Sequence, residues 1–151
     1  MKRTDKGWRP SESAALNAQR VLPKLVGDYF KSGRKLDAHS NAKAMHGFRL
    51  KTKELRYTLE AFAPLYGAEL EKKAATLRPI QNALGDFNDC EVLLAEMGDQ
   101  LPHSARVKLK KRAEEKRLEF LNYWRKKFDV EDEDKKWKQY LTGSARDRKA
   151  K

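Results

Sequence analysis

Between Ser40 and Pro64, Met45, Phe48, Thr52, Leu55, Leu59 and Phe62 recur at intervals of 3-4-3-4-3, and no other feature of the 151-residue chain narrows its fold as much. At about 100° per residue the six side chains fall within a stripe roughly 100° wide, the width of a core-facing seam. A half-buried strand would alternate every second residue instead. No such alternation, and no hairpin dipeptide between apolar runs, occurs elsewhere. The class is therefore all-α, and helices joined by short polar turns point to an antiparallel bundle of about four main helices.

The other elements follow from the same signals. Ser11 is the expected N-cap of a first helix from Glu12 to about Lys31, with Pro23 as a kink and Gly33 as its stop. Ser40 caps the seam helix, which Pro64 ends at Ala63 by pushing its predecessor out of the α region. A third helix is expected from Ala68 to Leu84, bent by Pro79, with Leu70, Ala74, Leu77, Ile80, Gln81 and Leu84 inward and Gly85 as its C′ residue. Gly85 to Asp89 then reads as a turn, with Asn88 or Asp89 capping a short fourth helix to Gly98. Beyond the break at 101–104, a long helix reaches Phe128, with Leu109, Ala113, Phe120 and Trp124 inward. The expected organisation is a polar arm at 1–10, a bundle at 11–128 and a charged tail at 129–151, with one short helix around Trp137, Tyr140 and Leu141 before a disordered tip.

Charge narrows the class of partner. The formal net charge is +12, of which residues 1–100 supply +4 and residues 101–151 supply +8. Such a field favours polyanions: nucleic acid, polyphosphate or an anionic membrane surface. The longest apolar run is Val92 to Ala95, far short of the roughly 18 residues of a membrane span. No apolar stretch follows the basic Lys2, Arg3 and Lys6, so a secretory signal is not expected. Cys90 is the only cysteine, which excludes an internal disulfide and fits a reducing, cytoplasmic compartment.

One residue after the seam, a polar row repeats its spacing: His46, Arg49, Lys53, Arg56 and Glu60. Tyr57 joins its outer edge. Arg offers a planar fork for phosphate oxygens, Lys a compact point charge, and His a donor that a nearby anion makes cationic. A row of such donors suits a linear polyanion better than a compact ligand. The same row also reads as the solvated face of an amphipathic helix, with Glu60 pairing Arg56 at i, i+4.

The string from His46 to Phe62 resembles the signature helix of the CHAD family, the conserved histidine α-helical domains, which runs approximately H-x-φ-R-φ-x-x-K-x-φ-R-Y-x-φ-E-x-F. Leu77, Gln81, Leu84, Gly85, Asn88 and Asp89 resemble its second motif, L-x-x-x-Q-x-x-L-G-x-x-N-D. The resemblance implies a helical domain that binds inorganic polyphosphate, with no cofactor, and gives phosphate-donor roles to His46, Arg49, Lys53 and Arg56, with Tyr57 supporting. Composition adds Arg20, Lys24, Lys72, Lys73 and Arg78 as possible contributors; Lys51 projects to the other flank of the seam. A complete CHAD domain resembles two tandem bundles, and this chain resembles the second alone, so two copies are expected to form a homodimer whose basic helices face one channel.

His39 and His46 would lie about 10 Å apart on one helix, too far to share a zinc ion. The sequence holds no Ser/His/Asp constellation, no G-x-x-x-x-G-K-[ST] and no G-x-G-x-x-G. The paired-Glu and Lys motif of the triphosphate-cleaving domains often joined to the family is missing too, so a non-enzymatic binder at polyphosphate granules is the expectation. Two rival readings remain. One is a nucleic-acid binder using the basic fifth helix (Lys108, Lys110, Lys111, Arg112, Lys116, Arg117). The other is a structural bundle that pairs the polar row with acidic residues of another protein.

Overall fold

The computed structural model describes residues 7–147. Among them the secondary structure is entirely helical. Four long helices, α1 (Ala14–Arg34), α2 (Ala42–Tyr66), α4 (Arg78–Met97) and α5 (His103–Tyr123), are joined by two short ones, α3 (Ala68–Ala75) and α6 (Glu133–Gly143). A 3-10 turn (Gly98–Gln100) follows α4, and a π-helical turn (Trp124–Phe128) ends α5.

The seam of α2 is where its spacing puts it. Met45, Phe48, Leu55 and Leu59 are buried, and Phe62 is half-buried beneath the Trp8 ring. Thr52 is fully buried as well, and its hydroxyl is satisfied on both sides. It donates to the Phe48 carbonyl at 2.8 Å, so its single hydrogen is used and the Tyr29 hydroxyl donates to it, also at 2.8 Å. Around this point Tyr29, Phe30, Phe48, Phe120, Trp124, Phe128 and Trp137 form one aromatic cluster.

Several boundaries differ from expectation, each for a local reason. Ser13, not Ser11, caps α1 by accepting from the Leu16 N–H, because Ser11 and Glu12 belong to a preceding turn closed by Glu12 N–H on Arg9 O. Asn41 replaces Ser40 as the cap of α2, since the Ser40 hydroxyl is engaged with the Asp37 N–H. Helix α2 passes Pro64 and stops only at Gly67, whose φ of +93° and ψ of −166° suit glycine alone. Gly33 does not stop α1: it lies buried inside the helix, where the Trp124 ring packs on its bare backbone.

The largest correction concerns residues 68–97. The expected third helix breaks at Thr76–Leu77 rather than at Gly85, and Pro79 sits in the first turn of α4, where a missing N–H costs nothing. From there α4 runs unbroken through Gly85, Asp86, Phe87, Asn88 and Asp89, so these residues form no turn and neither Asn88 nor Asp89 is a cap. The buried face of α4 (Ile80, Ala83, Leu84, Phe87, Cys90) is continuous across the expected turn, and that continuity holds it helical. The C-terminal segment contains the expected short helix, α6, whose Trp137 and Leu141 enter the same core beside α1. The expected disordered tip, 148–151, lies outside the described residues, as do residues 1–6 of the arm.

Candidate functional site

Helices α2 and α4 run antiparallel, and their facing edges share one spacing. On α2 the row is His46, Arg49, Lys53, Arg56; on α4 the positions are Arg78, Gln81, Gly85, Asn88, again 3-4-3. Contacts at three points fix the register. Arg78 reaches Glu60 at 3.8 Å, Gln81 meets Tyr57, and Arg49 Nε would stand 3.5 Å from a Cβ placed at Gly85. Between His46 and Arg56 the donors span about 15 Å of helix.

The electrostatics of this face are unbalanced. Glu60 is its one carboxylate in an ion pair, and it is shared by Arg56 at 3.7 Å and Arg78 at 3.8 Å. Arg49 and Lys53 make no ion pair with any described residue. The stems are held down while the tips remain available: His46 Nδ1, Arg49 Nε and Arg56 Nε are buried without a hydrogen-bond partner among the described residues, as is Gln81 Oε1. The Arg56 guanidinium also lies over the Tyr57 ring, 4.8 Å from its centroid. Polar contact with Arg56, then with Gln81, holds the half-exposed Tyr57 phenol below the ordinary tyrosine range. The arrangement can present several forked and point-like cationic donors, with some rotamer freedom already spent, to an extended anion.

The additional basic candidates are dispersed. Only Arg78 joins the α2–α4 face. Arg20 pairs Glu12 at 3.2 Å and donates to the Gly7 carbonyl and Asn17 Oδ1, tying down the N-terminal arm. Lys24 lines an open cleft of about 530 Å³ on the other side of α2, with Lys31, Lys35 and Lys51. Lys51, in agreement with its expected flank, donates to Ser32 Oγ at 2.9 Å. Lys72 pairs Glu69, and Lys73 lies over the Trp137 and Tyr140 rings at 5.1 and 5.2 Å. On α5, Arg112 and Lys116 pair Asp86, and Arg117 donates to the Ser40 carbonyl while stacking on Phe87.

Sequence reasoning missed the α4 wall. Gln81 was expected in the core and Gly85 at a helix stop, yet both border the row. The repeated 3-4-3 spacing at 78, 81, 85 and 88 is the signal that finds them. No cluster of His, Cys, Asp and Glu among the described residues could hold a metal ion, and none of the described helices is long and apolar enough to cross a membrane.

A family model for the CHAD domain matches residues 2–98, nearly two thirds of the chain, and spans the row and the α4 wall together. The chain belongs to the CHAD domain family. At family level CHAD domains are linked to binding of polyphosphate and related phosphates. The CHAD match ends at the C-terminus of α4, so α5 and α6, which complete the core, lie beyond it. No curated protein and no solved structure matches the chain.

Proposed function

We propose that the protein binds inorganic polyphosphate along the α2–α4 face, without catalysing a reaction on it. The observation that carries this reading is the row itself: Arg49 and Lys53 without an ion pair among the described residues, and Arg56 sharing its one carboxylate with Arg78, in line along one helix. A compact anion would engage two of these cations; a polymer with a charge on every repeat engages them all. His46 and Tyr57 add donors at the two ends of the row. A second copy that brings its own row to the same channel would extend the track, and a cytoplasmic site of action at polyphosphate granules belongs to the same reading.

Nucleic acid fits less well. Sequence-tolerant single-strand binding uses exposed aromatic platforms, whereas Tyr57 is the one strongly exposed ring among the described residues. The test titrates long-chain polyphosphate, single-stranded DNA and duplex DNA at low and near-physiological salt, with wild type and Arg49→Ala/Arg56→Ala. Polyphosphate should bind tightest at the higher salt, and the double variant should lose tenfold or more of that affinity. Equal binding of all three polyanions, unaffected by the substitutions, would show diffuse charge and no site.

A further inference from the structure

Beyond Cys90 on α4 and before Ala113 on α5, none of the helical residues is fully buried. The two helices continue past the core as an arm, about 10 Å of α4 and 15 Å of α5. The half-buried Leu94, Leu101 and Leu109 line its interior. Its charges are sorted by helix. Residues 89–99 hold Asp89, Glu91, Glu96 and Asp99 and no cation; residues 103–112 hold Arg106, Lys108, Lys110, Lys111 and Arg112 and no carboxylate. Of these nine, only Arg112 is in an ion pair with a described residue, and that partner is Asp86, nearer the core. The two sets therefore leave each other unneutralised within the chain.

Helical geometry, at about 100° per residue, brings part of each set to one face: Asp89 and Glu96 from α4, and Lys108, Lys111 and Arg112 from α5. Asp86, Cys90, Leu93 and Met97 form a 4-3-4 stripe on α4, and Arg112 and Lys116, which reach Asp86, flank it from α5. Leu93 and Met97 are each 43% exposed at the centre of that face. Asp89 and Glu96 border them on the outer edge of α4, and Lys108 and Lys111 project along the outer edge of α5. An apolar centre with an acidic edge and a basic edge is complementary to itself when turned through 180°.

We propose that this arm is a self-association surface, and that its occupant is the arm of a second copy of this chain. In the two-fold pair, the acidic edge of each α4 lies on the basic edge of the partner's α5, and Leu93 and Met97 meet their counterparts at the axis. The area is that of a weak interface, so the dimer forms in the micromolar range or above and weakens as salt is raised. This proposal is independent of polyphosphate, and its test is run in the absence of any polyanion.

Sedimentation velocity on the full chain, at concentrations up to several hundred micromolar, tests it with four samples whose helicity is checked by circular dichroism. Wild type should dimerise. Leu93→Glu/Met97→Glu should weaken the dimer at least tenfold, and these exposed positions leave the core intact. The acidic-edge reversal (Asp89→Lys/Glu96→Lys) and the basic-edge reversal (Lys108→Glu/Lys111→Glu) should each be monomeric alone, because both edges then carry one sign. Mixed in equal amounts, the two reversals should form a heterodimer. A wild type that stays monomeric, reversals that still dimerise alone, or a mixture that does not associate would each overturn the proposal.

Discussion

At Arg49 the guanidinium Nε is buried against α4, beside the bare backbone of Gly85, while no described carboxylate pairs with its tip. The row on α2 could be read directly from the chain, because a 3-4-3 interval one residue out of phase with a core seam has a single geometric meaning. Its supports could not. A glycine stops a helix, admits a neighbour or does neither, and only the neighbour decides. Gly33 shows the same ambiguity at the core: it is a packing glycine because Trp124 needs the room. Gly33→Ala would place a methyl group within the Trp124 ring, which is itself wedged among Phe30, Phe48 and Phe128. The expected result in urea unfolding is a loss of roughly 1–3 kcal/mol with the helical signal retained at low denaturant. Unchanged stability would mean that the ring does not pack there.

Among elements, α4 departs furthest from expectation. Its Gly85-Asp86-Phe87-Asn88-Asp89 stretch has turn-forming composition, yet Leu84, Phe87 and Cys90 bury one face straight through it. Local propensity contributes tenths of a kcal/mol per residue, whereas each buried large side chain contributes about 1.5–3 kcal/mol, so packing decides. The caps of α1 and α2 were misplaced, Ser11 for Ser13 and Ser40 for Asn41, because which polar residue serves depends on what its neighbours already bond. The consequence for α4 is testable. Gly85→Ala should raise stability by about 0.5–1 kcal/mol, as expected for a glycine in mid-helix, since its Cβ would meet Arg49 Nε at an ordinary 3.5 Å. Polyphosphate binding should stay close to wild type, because an ordinary contact does not displace Arg49. Thermal unfolding and the titration described above, made on the same sample, check both; a fall in stability would restore the turn.

For the molecule as a whole, alkaline pH is the direct probe of the core. Burial raises the phenol pKa of Tyr29, and to a lesser degree those of Tyr66, Tyr123 and Tyr140. In the unfolded chain these groups ionise near pH 10. A folded pKa above the unfolded one stabilises fully below that pH and is lost as pH rises through it, because the unfolded state then releases protons that the folded state retains. Urea midpoints should therefore be level up to about pH 9 and fall steeply beyond pH 10. Tyr29→Phe should flatten that fall at a cost of about 1 kcal/mol at neutral pH, since Thr52 keeps its bond to the Phe48 carbonyl. A midpoint indifferent to alkali would show the phenols to be hydrated.

Helix α6 packs on α1, and the Asp147 carboxylate accepts from the Ala15 N–H at 2.8 Å, 132 positions away in the chain. During synthesis, then, α1 leaves the ribosome with Phe30, whose ring partners are Trp124, Phe128 and Trp137, uncovered, and its cover is complete only when α6 has been made, several seconds later at ordinary elongation rates of roughly 5–20 residues per second. The nascent chain has to carry the apolar face of α1 incompletely covered until α6 emerges, which makes that helix the segment a chaperone would meet first.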